Sequence, residues 1–237
     1  MAQILTRQMR LTESHVARVH REIVEAGDVP PGMVRATDAD HEATVAQMLA
    51  TAPAGEIWFF AYGSLIWKPA CDFVEIRTAL VRGWHRAFCL GWNIRHRGNA
   101  ENPGLMLALD RGGACKGVLY RVPSDAIEAN LKKLFEREMG WRPSAFPPRW
   151  VNAVTHEGPV RALTFCIDRK SGRYVSGLTE NELADVLATA IGARGSMAEY
   201  LYATVKRLEE LHIHDPHLWR LQELVASRIE SSYGFTP

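Results

Sequence analysis

The stretch Trp58 to Pro69, WFFAYGSLIWKP, begins as a buried strand, places Gly63-Ser64 inside the apolar run and ends on Lys68-Pro69. An apolar run without polar alternation is what a strand covered on both faces requires. The glycine permits a positive φ or a close backbone approach, and the serine adds a hydroxyl and an N–H. Successive N–H groups at such a strand end can form an anion-binding nest. A bulge or strand-to-loop bend in a barrel accounts for the same residues, and sequence alone favours that reading.

Outward from this stretch the chain is β-rich. Further short runs at 78–91, 104–110, 114–122, 149–156 and 160–168 are separated by Gly, Pro and charged turns. The opening run itself spans 57–61. One helix interrupts the strands at about 124–138, with Ser124 as its cap. Three helices close the chain. Thr179 and Glu182 form a capping box ahead of an apolar face of Leu183, Val186, Leu187, Ala190 and Ile191, with Gly192 as the stop. Ser196 and Glu199 form a second box, opening a helix to about 212. Asp215-Pro216 opens the last helix, to about 231. On the N-terminal side, 12–26 reads as a helix capped by Thr12 or Ser14, with a Val16, Val19, Ile23 and Val24 stripe and Gly27 at its end. DVPPGM (28–33) is a breaker, and 38–51 is a second helix capped by Thr37. Strands not strictly alternated with helices predict an α+β fold with a mostly antiparallel sheet or barrel. Residues 1–55 are expected to be a helical extension, and 56–237 the main domain.

Composition excludes several function classes. The 237 residues carry 28 Lys+Arg against 27 Asp+Glu, a net charge of +1, so no global field draws nucleic acid or anionic lipid. No apolar run approaches the roughly 18–20 residues of a membrane span, and MAQILTRQMRLTESH lacks the apolar core of a secretion signal. Cys71, Cys89, Cys115 and Cys166 are far apart, which fits reduced thiols and a cytoplasmic location. None has a local His partner, so thiol catalysis is not expected. His212, His214 and His217 straddle a helix end without a second cluster, and a turn with surface histidines is the expected reading. Trp58, Trp67, Trp84 and Trp92 lie in apolar runs without a basic stripe, as core or pocket wall. Nothing in the sequence fixes an oligomeric state.

Glu138 is the most informative single residue. On the 124–138 helix the apolar stripe is Ile127, Leu131, Leu134 and Phe135, and position 138 continues it four residues beyond Leu134. The negative helix end and partial burial both oppose ionisation there, which would raise its pKa toward a value useful for acid–base work. Arg137 is expected to point the other way. The competing reading is a last-turn glutamate paired to a basic neighbour at the core edge. Arg97, in the polar loop NIRHRGNAENPG (93–104), is a candidate for a substrate carboxylate, against the commoner solvated loop cation. Tyr200 shares an apolar face with Met197, Leu201 and Leu208, where a core tyrosine is the plainer reading.

Six segments, in order, carry a family resemblance: AYGSLIW (61–67), VRGWHRAF (81–88), HRGNAENPG (96–104), KGVLYRV (116–122), REMGW (137–141) and EYL (199–201). Together they resemble the ChaC-type γ-glutamylcyclotransferases over about Ile57 to Leu224. The Tyr-Gly-Ser-Leu turn followed by Arg-Glu at the end of the next helix is the specific combination. The resemblance implies a small, mostly antiparallel β-barrel with helices around it. It implies a lyase that cleaves the γ-glutamyl bond of glutathione to 5-oxoproline and Cys-Gly, with no metal or cofactor. It places the essential acid–base glutamate on Glu138 and the γ-glutamyl-binding loop on Tyr62, Gly63, Ser64, Leu65 and Ile66. It places a tyrosine lining the site on Tyr200. The implied partner is glutathione, with no nucleic acid and no membrane. Two departures stand out: Ala61 where relatives often have Gly, and Met139-Gly140-Trp141 where they often have two glycines after Arg-Glu. Cyclotransfer on other γ-glutamyl amines or peptides, amide hydrolysis on the same scaffold, and a non-catalytic γ-glutamyl-binding regulatory module remain the alternatives.

Overall fold

The structure, a computed structural model, describes residues 7–24 and 32–234. The expected helix stop at Gly27, and most of the 28–33 breaker, lie outside the described residues. Two compact units divide the chain. One is made of Gly27–Trp92 and Met106–Ser176, the other of Met1–Ala26, Asn93–Leu105 and Gly177–Pro237, each over its described residues. The first 55 residues are therefore shared between the two.

In chain order the elements begin with α1 (Glu13–Val19), β1 (Val34–Arg35), α2 (Asp38–Ala50) and β2 (Trp58–Ala61). A 3-10 turn (Ser64–Ile66), β3 (Glu75–Asn93), β4 (Gly104–Arg121), α3 (Ile127–Glu138), β5 (Trp141–Arg142), β6 (Pro148–Thr155) and β7 (Gly158–Phe165) follow. The chain then forms α4 (Glu180–Thr189), β8 (Ile191–Gly192), β9 (Gly195–Ser196), α5 (Met197–Glu210) and α6 (Pro216–Tyr233). Five strands close a barrel in the order β2-β4-β3-β6-β7. β2 runs antiparallel to β4, with Trp58 opposite Arg121 and Ala61 opposite Val118. It closes the barrel by a parallel pairing with β7, Phe59 opposite Leu163. The fold is α+β around a mostly antiparallel barrel, as the pattern predicts.

The apolar run of β2 is explained by what covers it. All four of its residues are buried. Trp58 and Phe60 pack with Val81, Leu109, Leu119, Val151, Ala153 and Ala162 in one core cluster. Phe59 meets Phe165 at 5.8 Å between ring centroids, and Phe165 meets Phe135 of α3 at 5.9 Å, edge to face. The buried face of α3, Leu131, Leu134 and Phe135, thereby fixes the helix whose last residue is Glu138. Gly117 of β4 allows the strands to close here, because a Cβ at that position would lie 2.4 Å from the Ala61 carbonyl oxygen and 2.6 Å from the Phe60 ring.

Several boundaries differ from expectation. α1 ends at Val19 rather than running to 26; His20 is extended, and Val24 is 93% exposed, so the Ile23–Val24 part of the stripe is not helical. The runs 104–110 and 114–122 are one strand that bends through Gly112 and Gly113, both at positive φ. α3 begins at Ile127, after a turn over the Ser124 region, so Ser124 is not its cap. α4 stops at Thr189, and Ile191-Gly192 pair with Gly195-Ser196 as a two-residue ribbon instead of continuing the helix.

Candidate active site

The Tyr62–Ile66 turn leaves the buried strand β2 and is fixed by groups from two other strands. The buried Arg86 of β3 donates from Nε to the Tyr62 carbonyl and from Nη2 to the Lys116 carbonyl at 2.7 Å. The Tyr120 hydroxyl of β4 donates to the carbonyls of Leu65 and Ile66 at 3.3 and 3.2 Å. Within the turn, the N–H of Ile66 bonds to Gly63 O at 2.9 Å, and those of Trp67 and Lys68 bond to Ser64 O at 3.2 and 2.8 Å. The N–H groups of Gly63, Ser64 and Leu65 are the first donors of this helical turn and lie outside its own bonds. Gly63 has φ −132°, so the positive-φ option is not used.

Glu138 closes α3 in the same unit, its side chain 17% exposed. Arg137 does not turn away from it. The guanidinium Nε lies 3.1 Å from Glu138 Oε1, Nη2 lies 3.4 Å from Ser64 Oγ, and Nη1 donates to the Lys68 carbonyl. One cation therefore joins the carboxylate to the turn. The two departures from the family pattern are accommodated by packing. Ala61 is fully buried beside Gly117, and Met139, 7% exposed, caps α3 through its N–H to Phe135 O at 2.7 Å.

Arg97 and Tyr200 belong to the other unit, where they meet each other. Arg97 is buried rather than solvated. Its Nη1 donates to the Ser196 carbonyl at 3.0 Å and pairs with the Glu199 carboxylate, and its guanidinium lies 5.8 Å from the Tyr200 ring centroid. Asn93 Oδ1 accepts from the N–H groups of His96 and Arg97 at 2.8 and 3.0 Å, shaping the loop. Gly98 is required there, since a Cβ would fall 2.2 Å from the Asn93 carbonyl oxygen. Tyr200 is 2% exposed. The structure thus groups Glu138 with residues 62–66, and Arg97 with Tyr200.

Sequence reasoning missed Arg86, Tyr120 and the role of Arg137. β3 carries Arg77, Arg82 and Arg86, of which only Arg86 is buried, and no local pattern in the sequence separates it from the other two. Thiol chemistry finds no support at three of the cysteines. Burial pushes Cys71 up to about 11 and Cys89 and Cys166 up to about 12, so all three are protonated at neutral pH. His214 and His217 face different carboxylates, Glu209 at 2.7 Å and Glu180 at 3.6 Å.

The profile of the ChaC-like protein family matches residues 57–228. The chain belongs to the ChaC-like family. The glutathione-specific γ-glutamylcyclotransferase of Escherichia coli is 39% identical over 178 residues, covering 74% of this chain and 76% of that protein. Glutathione-specific γ-glutamylcyclotransferase 1 of Danio rerio is 31% identical, over 73% of this chain and 90% of that protein. A crystal structure of the yeast γ-glutamyl cyclotransferase specific to glutathione superposes with a TM-score of 0.66 at 22% identity. It covers 73% of this chain and 96% of that one, and shows that the ChaC-like fold is shared. No helix among the described residues is long and apolar enough to cross a membrane.

Proposed function

We propose that this chain is a glutathione-specific γ-glutamylcyclotransferase, a lyase that converts glutathione to 5-oxoproline and Cys-Gly. Membership of the ChaC-like family, with relatives of that name at 39% and 31% identity, supports the activity. The observation that carries the residue assignment is the Arg137 bridge, 3.1 Å to Glu138 and 3.4 Å to Ser64. It couples the one candidate proton carrier to the one candidate substrate turn.

The substrate supplies its own nucleophile. The α-amino group of the γ-glutamyl unit attacks the unit's own side-chain carbonyl, a five-membered lactam closes, and the amine of Cys-Gly leaves. At neutral pH the attacking amine is an ammonium, so a base must first take a proton; the leaving amine must then receive one. Glu138 performs both transfers and ends the cycle unchanged. No water enters the products. The flexible glutamyl chain closes only when folded back on itself, and holding it in that conformer raises its effective molarity. In this reading the N–H groups of Gly63, Ser64 and Leu65 hold the folded unit. Arg86 and Tyr120 are positioning residues for that turn, and Arg137 positions the carboxylate. Tyr200 enters as a substrate-side residue on the strength of the resemblance alone, and Arg97 as a carboxylate-binding candidate from its place in the 93–104 loop. The matched span, 57–228, supports reading 56–237 as the catalytic part and 1–55 as an addition to it. The substrate and the unpaired thiols of Cys71, Cys89 and Cys166 support a cytoplasmic location.

Product analysis tests the reading. Purified protein incubated with glutathione is expected to release 5-oxoproline and Cys-Gly in equal amounts. Free glutamate would instead mean hydrolysis, and turnover of a γ-glutamyl amine in preference to glutathione would move the substrate class.

A further inference from the structure

α2 and α3 face each other with a set of side chains that the reaction does not use. Asp38 and His41 lie one turn apart at the start of α2, and Glu136 lies in the last turn of α3. One donor atom from each lies within 4.8 Å of the other two. Asp38 and Glu136 are exposed, whereas His41 is only 6% exposed. His41 Nε2 sits 3.2 Å from the Met139 carbonyl oxygen. A carbonyl only accepts, so Nε2 carries a proton, and in the neutral ring Nδ1 is then the lone-pair nitrogen. That Nδ1 is buried and has no hydrogen-bond partner. A buried imidazole with one unpaired ring nitrogen, a ring nitrogen within 4.8 Å of two carboxylates and a backbone carbonyl holding the ring is the arrangement that metal-binding histidines use.

We propose that Asp38, His41 and Glu136 bind one divalent transition-metal ion of the zinc class, fastening α2 to the last turn of α3. Imidazole nitrogen with two carboxylate oxygens suits zinc better than magnesium or calcium, which take oxygen ligands. Zinc bonds of about 2.0–2.2 Å need ligand atoms roughly 3.4 Å apart, and both carboxylates are on exposed side chains. Of the neighbouring charged groups, Lys132 feels the charges of both Asp38 and Glu136, and its hydrogen bond goes to Glu42 at 2.7 Å. Asp40 accepts from the Thr37 N–H and hydroxyl and pairs with Arg142. Asp38 and His41 precede the span matched by the family profile, so the site is an addition of this chain and structural rather than catalytic. The proposal is independent of the reaction proposed above.

The test uses the full-length protein, stripped with a chelator and dialysed against Zn²⁺. One zinc per chain is expected, with a concentration-dependent rise in Tm. The Asp38→Asn/Glu136→Gln double variant changes only exposed side chains and is expected to keep its circular dichroism. It should bind zinc at least about tenfold more weakly and lose the Tm shift. Cobalt substituted for zinc should show visible d–d bands without thiolate-to-cobalt charge transfer. Failure to retain stoichiometric zinc, retention of wild-type affinity by the double variant, or a thiolate charge-transfer band would each overturn the site.

Discussion

Arg137 spreads one guanidinium over three acceptors: the Glu138 carboxylate, the Ser64 hydroxyl and the Lys68 carbonyl. Removing it leaves the turn and the carboxylate without their common anchor. Arg137→Met is expected to lower kcat by about 10- to 100-fold with an unchanged circular dichroism spectrum, the cost of misplacing a group in a proximity-driven reaction. Wild-type turnover in that variant would remove Arg137 from the account. Burial of the thiols makes a second prediction. With Cys89 and Cys166 pushed up to about 12, iodoacetamide at pH 8 should modify them only on unfolding. Rapid labelling in the native protein, read by mass spectrometry, would contradict it. The position of Glu138 was legible because the helical stripe of Leu131 and Leu134 points there. Arg137 was not, because successive helix positions diverge by about 100° and only the length of its side chain brings the guanidinium back.

Local chemistry was readable at three helix starts, though not at α3, which begins beyond Ser124. Thr37 accepts from Asp40 N–H, Thr179 from Glu182 N–H and Asp215 from Leu218 N–H, each at the predicted start. Thr179→Ala should therefore cost about 1 kcal/mol, measured by denaturant unfolding, and no change would show the cap to be idle. Ser196 forms only half of its expected box. Its hydroxyl caps Glu199 N–H at 3.1 Å, but the Glu199 carboxylate pairs with Arg97, a partner 102 residues away that no local pattern reveals. The same limit hid the continuity of β4. A glycine pair reads as a turn from sequence, and only the pairing partners show that the strand passes through it. The demand for Gly117 is likewise tertiary. Gly117→Ala would drive a methyl against the Ala61 carbonyl and the Phe60 ring, neither able to withdraw from the barrel wall. A loss of about 1–3 kcal/mol in stability is expected, accompanied by reduced turnover because β2 leads into the substrate turn. Unaltered Tm and kcat would show that the strands yield more readily than their packing implies.

For the molecule as a whole, acid stability follows from carboxylates held low in both units, Asp110 and Glu230 among them. Burial opposes the charge of Asp110, but hydrogen bonds from Arg169 and Tyr174, at 2.6 and 2.9 Å, and from the Arg111 N–H hold it below the usual carboxylate range. Glu230 is held low chiefly by its hydrogen bond from Arg10, with His15 adding to it. Both groups bind a proton less readily folded than unfolded. They therefore contribute stability above the ordinary carboxylate pKa of about 4, and that contribution is lost as pH falls through their lowered folded values. Tm should be level near neutrality and fall below about pH 4, with a shallower fall in Glu230→Gln. A profile flat to pH 3 would contradict this. The α+β class and the helices of the described residues were legible from run lengths and caps, and the barrel from the resemblance, whereas the division into two units was not, since Asn93–Leu105 joins the terminal helices only through long-range contacts. Glu138→Gln keeps the shape and hydrogen bonding of the side chain but cannot carry the proton. Assayed with glutathione, it is expected to lose 5-oxoproline release by about 100-fold or more in kcat while glutathione still binds with near wild-type affinity. Near wild-type release of 5-oxoproline by that variant would contradict the account.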